Sequence, residues 1–254
     1  NLVNPYRIVL SPLVALLFLA GVASAQEVKY VPKEPEKAKV RNTGWDGKLS
    51  IGASTSLSQN TDVVGRVDGT SFAFGYKLQS GLNFIKTEHE WRNALNLGVT
   101  FSRQPNIDRF VKTYDEIALE SIYLYHLKPL PWLGPFARFQ LDSAMFVGRD
   151  VRPEVTDYVD KDGGTILSRD NNLRVSHAFA PLTLRETLGA FAKPYTKPWL
   201  NVEFKAGFNA RQTFADGERA IDDDEDTEGN IEVQLLKDVI QGGPVVGLIL
   251  NGNL

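Results

Sequence analysis

Apolar and polar residues alternate with a period of two along most of this chain. Between residues 48 and 58, Leu49, Ile51, Ala53, Thr55 and Leu57 interleave with Lys48, Ser50, Gly52, Ser54, Ser56 and Ser58. That spacing predicts a strand with one greasy face and one small, polar face. A second segment sets Phe72, Phe74, Tyr76, Leu78, Leu82 and Phe84 against Ala73, Gly75, Lys77, Gln79, Gly81 and Asn83. A third sets Trp91, Leu95, Leu97, Val99 and Phe101 against Arg92, Ala94, Asn96, Gly98 and Thr100. In the fourth, Ile117, Leu119, Tyr123 and Tyr125 oppose Glu116, Ala118, Glu120 and His126, while Ile122 and Leu124 blur the alternation. The fifth places Ala137, Phe139, Leu141 and Met145 opposite Arg138, Gln140 and Asp142. The sixth, 182–192, is weaker, because Glu186 shares a face with Leu184 and Leu188 while Arg185 lies on the other. The seventh, 200–211, is clear and puts Glu203, Lys205 and Arg211 on its polar side. A short eighth, Ile231, Val233 and Leu235, and a ninth apolar stretch, 245–250, end the series.

Most segments are long enough to supply the roughly 9 to 11 residues that a tilted strand needs to cross a bilayer, against about 5 to 6 in ordinary strands. After the amino terminus no stretch reaches the roughly 18 consecutive apolar residues of a membrane helix, so a membrane span would be made of strands. The expected fold is therefore all-β, an antiparallel transmembrane β-barrel of about eight to ten visible strands. Its apolar face would meet outer-membrane lipid and its polar face would line the interior.

The connections alternate in length. Those at 86–89, 128–134, 193–198 and 238–243 are short, whereas 59–70, 104–112, 148–180 and 214–229 are longer and richer in charge. Short periplasmic turns and long outer loops follow this rule in outer-membrane barrels. Trp45, Trp91, Trp132 and Trp199 each fall at a short-turn end, where indoles can sit between lipid and water as an aromatic girdle.

The amino terminus adds a compartment. Arg7 precedes the apolar run 8–20, and Ala23, Ser24 and Ala25 supply small residues before Gln26, the pattern of a cleavable secretory signal. The expected organisation is a signal peptide at 1–25, a Lys/Glu/Pro-rich periplasmic tether at 26–44 that lacks the apolar surface to fold, and an outer-membrane barrel at 45–254. With 28 basic and 31 acidic residues, a formal charge of -3 and no cysteine, nothing suggests nucleic acid, a disulfide framework or a thiolate metal site.

The block 45–146 contains Leu57-Ser58-Gln59, His89-Glu90-Trp91-Arg92-Asn93-Ala94-Leu95, Lys112-Thr113-Tyr114-Asp115 and Phe139-Gln140-Leu141-Asp142. In these phrases it resembles an uncharacterised family of bacterial outer-membrane proteins, domain of unknown function 3078. The resemblance implies a barrel without an assigned activity. Where that family often shows an Asn-Trp and Gly-Gly run after its first strand, this chain has Asn60-Thr61-Asp62-Val63-Val64-Gly65.

The polar face gathers Lys48, Lys77, Arg92, Glu116, Glu120, Arg138, Asp142, Arg185, Glu203, Lys205 and Arg211. In a narrow lumen these charges are expected to pair into a structural plug, the alternative being a polar channel. The acidic run 222–226 and Asp157, Asp160 and Asp162 lack the spacing of a calcium loop and read as solvated outer loops. No nucleophile elbow or HExxH occurs, and His177 near Ser176 and Ser168 is the one histidine suited to act as an outer-rim base. The expectation is a non-enzymatic barrel, structural or channel- or receptor-like, without cofactor or metal. Its expected partners are lipid, the barrel-insertion machinery and an extracellular ligand at loops 148–180 and 214–229. A soluble periplasmic ligand-binding barrel and an outer-membrane hydrolase are the alternatives. Because nine strands is odd and bacterial single-chain barrels are even, further strands are expected beyond residue 254 unless segment six or eight is miscounted.

Overall fold

A computed structural model describes residues 43–252 apart from 63, 65, 66, 163, 198 and 223–229. These belong to the unit Ala38–Leu254, one of two into which the chain divides. The expected signal peptide, nearly all of the tether and most of the acidic run lie outside the described residues. Twelve strands are formed among the described residues: β1 (Gly44–Asn60), β2 (Gly69–Lys86), β3 (His89–Arg103), β4 (Val111–Tyr125), β5 (Leu133–Ser143), β6 (Gly148–Asp160), β7 (Ile166–Ser176), β8 (Leu182–Lys197), β9 (Leu200–Phe214), β10 (Arg219–Ile221), β11 (Asn230–Leu235) and β12 (Val239–Gly252). No described helix is long and apolar enough to cross a membrane.

The fold is all-β, and eight strands make one large antiparallel sheet in the order β1-β2-β3-β4-β5-β8-β9-β12. Six of the seven clear or weak segments before the eighth extend to at least 15 residues, and β5 has 11. The register keeps each segment's faces together. Lys48, Gly81, Ala94, Glu120, Gln140, Arg185, Arg211 and Gln241 are consecutive cross-strand partners across all eight strands. One residue further along, Leu49, Ser80, Leu95, Leu119, Leu141 and Leu184 form the equivalent row on the other face.

The large sheet is open. β1 and β12 are its two ends, each paired on one side only, and no pairing between them closes the sheet among the described residues. Because the strands run alternately up and down and number eight, these two ends run antiparallel to each other.

The strand count corrects the expectation of nine. Ile231, Val233 and Leu235 belong to β11, which pairs in parallel with β6 and antiparallel with β10, outside the large sheet. Alternation over so short a segment reports a half-buried strand but not the sheet that buries it. The weak sixth segment is a full member, β8. Residues 239–243, expected in a short turn, are the start of β12, paired with 209–213 of β9. β5 ends at Ser143, before Met145.

The expected loops 148–180 and 214–229 are not featureless. They carry β6, β7 and β10, which with β11 make a second sheet in the order β10-β11-β6-β7. Its core is Tyr158, Leu173 and Val233, flanked by Leu167, Val175, Ile221 and Ile231. Asp115 at the head of β4 ties this region to the large sheet, accepting the N–H of Met145 and of Phe146 at 3.0 and 2.8 Å.

Candidate functional site

The two faces of the large sheet are buried in the reverse of the usual sense. Leu49, Ile51, Leu188, Phe208 and Val246, all on the apolar face, are 59–80% exposed, whereas Glu203 and Lys205 on the charged face are 1% and 7% exposed. Glu186 is an exception, a carboxylate exposed on the apolar side of β8. All eleven charges singled out from the sequence share the opposite face, as the register of the eight strands requires.

Charges cluster most tightly at the short-turn end. Glu90 Oε1 meets Arg92 at 2.5 Å, and its Oε2 receives Lys193 Nζ at 3.2 Å and His126 Nε2 at 2.8 Å. Glu203 pairs with Lys205 at 3.0 Å and with Lys193 at 4.0 Å. The other nitrogen of His126, Nδ1, contacts the Pro131 carbonyl at 2.7 Å. Beside this network Ile122, Leu124, Phe136 and Phe191 form a small apolar cluster. Two of these, Ile122 and Leu124, blurred the fourth segment's alternation, and they face the charged side because Phe136 and Phe191 enclose them there. Three strand spacings separate β3 from β8, roughly 14 Å along the sheet. Direct contact between Glu90 and Lys193 therefore makes the charged face the inside of a curve.

Nearer the long loops, Glu120 pairs with Arg138 at 3.2 Å and Asp142 with Arg185 at 3.5 Å. Glu116 accepts a hydrogen bond from the Tyr114 hydroxyl. Lys48 and Lys77 are exposed on β1 and β2. Arg211 makes no ion pair among the described residues, and its Nε is buried without a hydrogen-bond partner. Above β1 and β2 a hollow of about 380 Å³ is lined by Ser56, Ser58, Ser71, Ser102, Asn60 and Arg103, among others.

Glu90, His126 and Lys193 were not among the charges read from the sequence as a network. Glu90 is two residues from Arg92 and shares its parity, so the alternation already carried that signal. Lys193 keeps the parity of Arg185 and Thr187 but falls in an expected short turn, because the sixth segment ends at 192 whereas β8 runs on to Lys197.

The four tryptophans lie at the short-turn end and are 40–59% exposed. Trp45 packs on Phe84 and Trp91 at 4.8 and 6.2 Å, and Trp199 on Tyr195 at 5.5 Å. A second aromatic band, not singled out from the sequence, occupies the long-loop end. There Phe74 contacts Phe101 and Phe110 at 5.5 and 5.3 Å, and Phe101 contacts Phe146 at 6.1 Å.

Within the second sheet His177 Nδ1 contacts Glu218 at 2.8 Å, tying the β7 end to the start of β10. Ser176 Oγ accepts the Gly148 N–H. Asp157 pairs with Arg169, and Asp160 accepts the N–H of Asp162. No group of three or more His, Asp or Glu side chains among the described residues is arranged to hold a metal.

Comparison with known families, with curated proteins and with solved structures finds no match to this chain.

Proposed function

We propose that this chain is a transmembrane β-barrel of an outer membrane, with its lumen plugged at the periplasmic end and its long loops folded into an outer sheet. The observation that carries the reading is the inversion of burial: exposed leucine, isoleucine, valine and phenylalanine on one face, and enclosed glutamate and lysine on the other. In water that arrangement leaves an extended apolar surface unsatisfied, and lipid is the solvent that suits it.

The dimensions agree. Phe74 and Phe84, at the upper and lower aromatic bands, are ten residues apart on β2. That is about 33 Å along a strand and roughly 25 Å along the normal at a typical tilt, the height of an outer-membrane apolar band. Within hydrocarbon the free edges of β1 and β12 would leave rows of N–H and C=O groups unpaired at several kcal/mol each. Their antiparallel sense lets them pair, so a bilayer favours closure into an eight-stranded barrel. In a barrel of that size side chains fill the interior, and the Glu90, His126, Lys193 and Glu203 network with its apolar neighbours fills the lower part. The role supported is structural or receptor-like, with the outer sheet as the presented surface, and not general diffusion.

Fractionation of the full-length gene product tests this. Recovery in the outer membrane, with gel migration that shifts on heating, is the expected result. A product released with the periplasmic fraction and insensitive to heating overturns it.

A further inference from the structure

The charged face contains a pair of like charges where a sheet should avoid one. Arg185 on β8 and Arg211 on β9 are direct cross-strand partners, which places two guanidinium stems roughly 5 Å apart, and like charges so placed are destabilising unless something intervenes. Asp142 relieves only part of this. Its carboxylate is 3.5 Å from Arg185, and it also feels Arg211 and the like charge of Glu116. Glu186 points to the opposite face. Arg211 keeps its Nε enclosed and undonated.

Their neighbours in the same row are amides. Gln140 is the partner of Arg185 on β5, and Gln241 the partner of Arg211 on β12. Four adjacent strands thus offer amide, guanidinium, guanidinium and amide in line. Thr183 and Thr213, bonded to each other at 3.1 Å, lie toward the long-loop end, and Thr187 and Asn209 lie on the other side. Arg185 and Arg211 each stand three residues from the long-loop end of their strand, at the mouth of the curved face and away from the plug.

We infer that this row is a binding site for a small soluble oxyanion of the phosphate class, held between Arg185 and Arg211. Guanidinium forks donate pairs of parallel N–H groups that match such an anion, and one bound anion converts the repulsion into two attractions. The inference rests on strand register and stands whether or not the other face meets lipid.

Titration calorimetry and thermal unfolding of the full chain, in detergent micelles or in buffer if fractionation shows it soluble, test the site with inorganic phosphate against chloride at equal ionic strength. Phosphate is expected to bind and to raise the midpoint where chloride does not. Arg211→Gln should weaken phosphate binding by roughly ten-fold or more, the loss of at least one charge-assisted hydrogen bond. Without phosphate the same variant should unfold no earlier than the parent, because a repulsion is removed. Gln241→Ala on the end strand gives an independent, milder reduction should Arg211→Gln fail to fold. Equal effects of phosphate and chloride, or an undiminished phosphate shift in the variants, overturn the site.

Discussion

Glu90 and Lys193 lie 3.2 Å apart although two whole strands, β4 and β5, separate their own in the sheet. The contact closes the charged face on itself, and both side chains are more than nine-tenths enclosed. Lys193 serves both Glu90 and Glu203, so removing it takes a cation from two enclosed carboxylates, a loss of roughly 3–5 kcal/mol. Lys193→Met is therefore expected to lower the unfolding free energy by about that amount in a denaturant titration. Glu90→Gln with Lys193→Met together should recover much of it. A single variant as stable as the parent would mean that the network does not hold the curve.

The two faces of β3 give a sharper contrast. Leu97, the partner of Leu78 and Ile117, lies on the apolar face, and its neighbour Asn96, bonded to Gln79 at 3.0 Å, lies on the charged one. Arginine at Leu97 should cost roughly 2–4 kcal/mol in a bilayer, whereas arginine at Asn96 should cost much less. Refolding into vesicles followed by denaturant unfolding measures both. Equal costs would reject the assignment of faces.

Gly189 and Gly207 face each other across β8 and β9, so close that a Cβ on Gly189 would lie 2.1 Å from the Ala206 carbonyl oxygen and 2.6 Å from the Gly207 Cα. Backbone and not a flexible side chain occupies the space. Gly189→Ala should destabilise by about 1–3 kcal/mol through forced strand separation, while Gly243→Ala, with open space around it, should be nearly silent.

Tyr158 sets a pH limit on the second, four-stranded sheet. Its phenol is fully enclosed, and burial together with its hydrogen bond to Asp150 at 2.9 Å pushes its pKa up to about 12 from the ordinary 10.0. The folded pKa lies above the unfolded one, so the contribution is complete below pH 10.0 and is lost as pH rises through about 12. Tyrosinate absorbance and strand circular dichroism should change together in that window for the second sheet. Tyr158→Phe should lose the late tyrosinate step, and its persistence would assign the step elsewhere.

The large sheet was legible because alternation is a local property: Leu49 and Lys48 declare their faces without knowledge of any partner. The second sheet was not. β6 contains Pro153 and several charges, and its pairing with β7 slips three times, so neither face produces a clean period. β11 shows the converse, an honest alternation assigned to the wrong sheet, because the parallel partner that buries Val233 lies more than 70 residues earlier in sequence. The site was half legible. Strand parity placed Arg185 and Arg211 on one face, but their being opposite each other depends on register, which no single strand encodes.

The parallel pairing of β11 with β6 also bears on how this surface can change over generations. Loops ordinarily vary and take insertions more freely than the elements they connect. Here residues 157–160 of one excursion are hydrogen-bonded to residues 230–233 of another. An insertion that shifts either segment by one position turns Tyr158 or Val233 out of their shared core. Lineages of this protein should therefore show matched changes in the two segments, and free variation only at the tips, where neither strand constrains the other.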